Sequence, residues 1–123
     1  MATHFKGPIV SETGVTATTV DASTSVAVGG GTAITLVKKG TIAVDIPSLT
    51  TLLSAADITL TITGAAVGDS VIMNPVAAGN TAGIIYGGAR VSAADTVKMR
   101  VFNTSVGTID EDAQIWEYCL IRA

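Results

Sequence analysis

The sequence predicts an all-β domain, an antiparallel sandwich or barrel. Its second half is cut into short runs at roughly 8–12-residue spacing with turn residues between them, which is the signature of such folds. One run, 57–63, alternates strictly, with Ile58, Leu60 and Ile62 on one face and Thr59, Thr61 and Thr63 on the other. Aromatic residues are only 4% of a chain that is 48% hydrophobic; its bulk is Ala, Val, Thr, Ile and Gly, small side chains that suit β-structure.

Residues 1–13 are polar and mixed, with Gly7-Pro8 marking an extended stretch. A solvated terminus would not need the apolar anchors Phe5, Ile9 and Val10. The reading is therefore an extended arm, with Phe5, Lys6, Pro8, Ile9 and Val10 lying on a neighbouring subunit, followed by a β-domain over 14–123. Residues 14–20 are a candidate strand, 21–24 a turn and 25–28 a short apolar strand ended by Gly29-Gly30-Gly31. The triplet lacks the Gly-Lys-Ser/Thr ending of a phosphate loop and reads as a flexible turn.

Residues 32–46 are expected to form a hairpin whose tip is Lys38-Lys39-Gly40, with Gly40 supplying a positive φ. On its second strand Ile42, Val44 and Ile46 share a face, and Pro47 ends it. In 48–56, Leu49, Leu52 and Leu53 have the spacing of one helical turn behind Ser48, and a broad loop fits equally well. Strand 57–63 follows, then a turn at 64–69, a strand at 70–74, a loop at 75–83 and a strand at 84–91. A turn at 92–95 leads to strand 96–103, with Val97, Met99 and Val101 inward and Lys98 and Arg100 outward. An acidic loop, 103–112, precedes the last strand, 113–122.

Both faces of that last strand are largely apolar: Ile115, Cys119 and Ile121 with Glu117 on one, Trp116, Tyr118 and Leu120 on the other. One face can fill the core, and the other then needs a loop, the arm or another subunit over it. Trp116 and Tyr118 are candidates for a subunit contact, since each joins apolar area to a polar handle, and a plain core role for Trp116 is the competing reading.

Bulk properties narrow the function. A chain of 123 residues is one domain with a real core. Charged residues are 14% of it, against about 25% in ordinary domains, so much of its surface is uncharged and suited to packing against copies or a larger assembly. A net charge of −3 argues against a general nucleic-acid binder. Cys119 is the one cysteine, so no intrachain disulfide forms. With no apolar run at the start and none near the ~20 residues a bilayer requires, neither a signal peptide nor a membrane partner is expected.

Chemistry finds little purchase. His4 is the one histidine and sits in the arm, so neither a Ser-His-Asp nor a Cys119–His4 pair is built into the fold. No Cys/His cluster suggests a metal, and Asp110-Glu111-Asp112 lacks the spacing of a calcium loop. No catalytic, metal or cofactor residue is therefore assigned, and no enzymatic activity is expected. Lys38, Lys39, Lys98 and Arg100 are either a solvated face or a salt-dependent dock on an acidic protein surface.

The series Thr63-Gly-Ala-Ala-Val-Gly-Asp-Ser-Val71, Asn74-Pro75, the run from Ala89 to Asn103 (ARVSAADTVKMRVFN) and Ile109-Asp110 resembles a module common in tailed-bacteriophage structural proteins. The opening Thr3-His-Phe-Lys-Gly-Pro-Ile-Val-Ser11 is similar to the start of phage head decoration, or cement, proteins. The resemblance implies a jelly-roll-like β-sandwich, a homodimer or homotrimer, made in the bacterial cytoplasm. It would be bound to the outer surface of a capsid whose major protein has the HK97-like fold. It implies no cofactor and no catalysis. The alternative is an oligomeric receptor- or glycan-binding module of a phage fibre or tail spike. A bacterial β-sandwich of other function is a third reading.

Overall fold

The structure, a computed structural model, describes residues 24–77 and 81–123. The expected arm and the candidate strand at 14–20 lie outside the described residues. Six strands make up the rest: β1 (Leu36–Val44), β2 (Ala55–Thr61), β3 (Ser70–Pro75), β4 (Ile84–Ala93), β5 (Thr96–Asn103) and β6 (Gln114–Arg122). They form two antiparallel three-stranded sheets, ordered β1-β6-β3 and β2-β5-β4, with no helix among the described residues. The chain is thus all-β and sandwich-like.

One hydrophobic core joins the two sheets. From β2-β5-β4 it takes Ile58, Leu60, Val97, Met99, Val101, Ile84 and Val91; from β1-β6-β3 it takes Val44, Met73, Trp116 and Leu120. The alternation read in 57–63 and 96–103 is therefore the pleat of two half-buried strands, each with its apolar side on this core. Trp116 meets Tyr86 of the opposite sheet edge-on, with ring centroids 5.4 Å apart and planes at 66°. Such pairs are worth about 0.5–1.5 kcal/mol beyond their burial.

The hairpin expected across 32–46 does not form. Residues 36–44 are one continuous strand, and Lys38, Lys39 and Gly40 pair with Leu120, Cys119 and Tyr118. Gly40 is absent from the positive-φ residues; its role is to admit a ring, since a Cβ there would lie 2.6 Å from Tyr118 Oη and 2.8 Å from its Cζ. The reversal comes earlier, at the glycine triplet: Gly29 and Gly30 have positive φ, and Val26 and Ile34 exchange N–H···O bonds of 2.9 and 2.7 Å across it. Residues 48–54 form a loop rather than the helical turn, and 55 and 56 already belong to β2. Leu49 pairs with Ile109 through bonds of 2.8 and 2.9 Å, while the Leu53 N–H donates to Asn103 O, so the backbone bonds that a helix would keep inside the segment go to the 103–109 region.

Asn103 ties that loop down from the core. It is fully buried; its Nδ2 donates to the Leu49 and Gly107 carbonyls, and its Oδ1 accepts from the Ser105 N–H and hydroxyl, all within 2.9 Å. At the other end of the molecule Arg122 closes the turn after β2. Its Nε and Nη2 grip the Asp69 carboxylate at 2.7 and 2.8 Å, and Asp69 also accepts from the Ala66 N–H. The Arg122 hydrogen bond first, then that of Ala66, holds the Asp69 carboxyl down to about 2.

Candidate interaction surfaces

Strand pairing sorts β6 into its two faces. Trp116, Tyr118 and Leu120 face the core, and Ile115, Glu117, Cys119 and Ile121 face away from it. The outer row is extended on both sides, by Val37, Lys39 and Ala43 of β1 and by Ile72 and Asn74 of β3. Val37 is 63% exposed, Ile72 52% and Ile115 50%, and Val76, whose N–H donates to Ile115 O, is 60% exposed. Among the described residues nothing covers this sheet face. Its charges are one cation and one anion, Lys39 and Glu117, which pair with each other, and the Glu117 hydrogen bond pushes the Lys39 ammonium above its ordinary range. Beside that pair Ile72, Asn74 and Cys119 line a shallow depression of about 250 Å³.

The outer face of the other sheet is unlike it. Arg90 of β4 lies directly opposite Lys98 of β5, and Arg100 lies one step further along the same face. Asp57 of β2, across from Arg100, accepts from its Nε at 2.6 Å. That hydrogen bond lowers the Asp57 carboxyl, with smaller contributions from the charges of Arg100, Arg90 and Lys98. Gly87, Gly88, Ala89, Arg90 and Arg100 line a second depression of about 250 Å³. Phe102 and Ile85 form its apolar shoulder: a Cβ on Gly87 would lie 2.7 Å from Phe102 Cε2, and Ile85 pairs with Phe102.

A β-bulge creates this face. Between the pairs Tyr86–Val101 and Ala89–Met99, two residues of β4, Gly87 and Gly88, stand opposite one of β5, Arg100, and Gly88 has φ +105°. The extra residue reverses the alternation of the strand. Ile84 and Tyr86 point to the core before it, Ala89 and Val91 after it, so Arg90 is turned outward.

The residues singled out from sequence are thus redistributed. Lys98 and Arg100 share one face, as read. Lys39 stands on the other sheet. Lys38 is not at a hairpin tip; it lies within β1, opposite Leu120, and its Nζ donates to Thr63 O. Of the two readings of Trp116, the core one holds: it is 1% exposed, because its face of β6 is the inner one. Tyr118 is half-buried beside Gly40 on that same inner face. Phe5, Lys6, Pro8, Ile9 and Val10 lie outside the described residues.

Sequence reasoning missed Arg90, Val37, Ile72 and Val76. The available signal for Arg90 was Gly87-Gly88 inside a strand run, which marks a bulge. Of the acidic loop, Asp110 and Asp112 are exposed, whereas Glu111 is buried and accepts from the Thr81 N–H at 2.6 Å. No group of three or more His, Cys, Asp or Glu side chains capable of holding a metal occurs among the described residues. Comparison with protein-family models, curated proteins and solved structures found no match.

Proposed function

We propose that the chain is a structural virion protein of a tailed phage, a decoration or cement protein that binds the outer surface of the capsid and bridges capsomers. The observation that carries this reading is the apolar face of β1-β6-β3, left open among the described residues. Monomeric proteins rarely leave a large contiguous apolar patch open to water, and such patches mark interaction sites. It stands beside the resemblance of the 63–110 series to tailed-phage structural proteins and of the opening residues to phage head decoration proteins.

Nested pairing, β1 with β6 and β2 with β5, supports a jelly-roll-like sandwich. The face carries no net charge, Lys39 being matched by Glu117, which suits packing against a sister subunit in a homodimer or homotrimer. In this reading residues 1–13 are an arm laid on a neighbour, with Phe5, Ile9 and Val10 as anchors. Filling with DNA strains the contacts between capsomers, and a bridging protein adds interface that must break before they part. Each bridge is modest, and many act together.

The test is mass in solution and co-sedimentation with undecorated capsids, for the native chain and for Ile72→Lys/Ile115→Lys. The native chain is expected to be an oligomer and to sediment at a fixed copy number per capsomer; the variant is expected to be a folded monomer with reduced occupancy. A native chain that is monomeric and leaves capsids undecorated refutes the proposal.

A further inference from the structure

The cationic face of β2-β5-β4 is a poor arrangement for an isolated domain. Like charges directly opposite one another on adjacent strands are destabilising, and Arg90 faces Lys98 in that way. Arg100 adds a third cation on the same face, against one carboxylate, Asp57. Three cations against one anion leave this face at +2 on a chain whose net charge is −3.

The geometry favours an incoming carboxylate. Asp57 takes Arg100 through Nε and so fixes the plane of the guanidinium. Among the described residues the terminal nitrogens of Arg100, and the whole guanidinium of Arg90, have no side-chain or backbone partner. Arginine forks of this kind match carboxylates two bonds at a time. Gly87 and Gly88 keep the floor between the two arginines clear of side chains over a depression of about 250 Å³. Phosphate chemistry would use the same donors, but three cations make a small footprint for nucleic acid. The shoulder of Phe102 and Ile85 beside two arginines instead has the composition of a protein interface.

We infer that the Arg90–Lys98–Arg100 face is a docking site for clustered carboxylates of an acidic protein segment, seated over the Gly87-Gly88 bulge. The inference leans on the capsid reading only for which protein carries those carboxylates; carboxylate docking itself does not need it.

The experiment titrates the whole protein with a glutamate-rich peptide containing two leucines and follows backbone amide shifts. Shifts are expected at 87–90 and 98–102, with affinity falling about tenfold as ionic strength rises from ~0.1 to ~1 M and the Debye length shortens about threefold. Arg90→Thr/Lys98→Thr is expected to fold, since it removes the like-charge pair and threonine suits a strand, and to lose about tenfold in affinity. Should that variant fail to fold, the shift map of the native chain decides alone. Shifts elsewhere, no shifts, or tighter binding of inorganic phosphate or an oligonucleotide at the same amides overturn the inference. Adding undecorated capsids separates the two proposals. Peptide binding without capsid binding keeps this one and removes the decoration reading, whereas capsid binding unchanged in the double variant, without peptide binding, does the reverse.

Discussion

Replacing Gly40 by alanine tests why a glycine stands in the middle of β1. The added Cβ would lie 2.6 Å from Tyr118 Oη, 2.8 Å from Cζ and 3.1 Å from Cε1. Carbon atoms in contact prefer about 3.5–4.0 Å, so the ring must retreat by roughly 0.7 Å. Tyr118 is half-buried and packs against the core, so moving its ring disturbs those contacts. Overpacking of this kind costs about 1–3 kcal/mol. Against it, alanine recovers about 0.5–1 kcal/mol of the chain entropy that a glycine loses in a strand. The net expected loss lies between 0 and about 2.5 kcal/mol, centred on about 1 kcal/mol, or about 3–5 °C in Tm for a domain of this size. With the ring gone, in Tyr118→Ala, the same Gly40→Ala change is expected to be neutral or stabilising by about 0.5–1 kcal/mol. The coupling between the two sites is then the overpacking itself, about 1–3 kcal/mol, read from equilibrium denaturation of the four proteins. An equal loss in both backgrounds would refute the close-approach reasoning and return Gly40 to a backbone role.

Two further outcomes follow from the fold. Trp116→Ala removes a fully buried ring and its edge contact with Tyr86, and is expected to cost about 3–5 kcal/mol in denaturant unfolding while leaving the oligomeric mass at native temperatures unchanged; a change of mass without loss of stability would restore it to an interface. Asp69 is held at about 2, below its ordinary 3.8, so its pairing with Arg122 stabilises the fold fully above pH 4 and is lost as pH falls from about 4 to about 2. Asp69→Asn should therefore be less stable at neutral pH and show a shallower fall in stability over that acid window, and an acid limb identical to the native one would remove Asp69 from the account.

Legibility followed how much of each strand was settled by its own residues. The runs 57–63 and 96–103 were readable because each buries one side only, and a period of two has a single interpretation there. Lys38-Lys39-Gly40 was misread because two lysines and a glycine between β-branched runs look locally like a turn. What overrides that reading is non-local: β6, almost eighty residues later in the chain, supplies a partner for each of the three. The two apolar faces of β6 were visible, but periodicity alone does not say which is inner. The Trp116 side is the inner one, where Tyr86 of the opposite sheet packs edge-on against it. Arg90 was hidden by the bulge. In an unbroken strand it shares a face with Ile84 and Tyr86, and only the extra residue at Gly87-Gly88 sends it outward to Lys98.

The outcome is a sandwich-like domain whose two outer faces differ in kind. One is apolar, its single ion pair internally matched; the other concentrates cations around one carboxylate. Under the two readings proposed, they respond to salt in opposite senses. Burial of the Val37–Ile72–Ile115 face is non-directional and is strengthened by strongly hydrated salts such as sulfate. Docking of carboxylates at Arg90, Lys98 and Arg100 is screened by any salt once the Debye length falls below the spacing of the charges. Self-association that survives high sulfate while an acidic partner is released would assign the faces separately. Loss of both together would mean that one charged contact underlies the whole assembly and that the apolar face is a bystander.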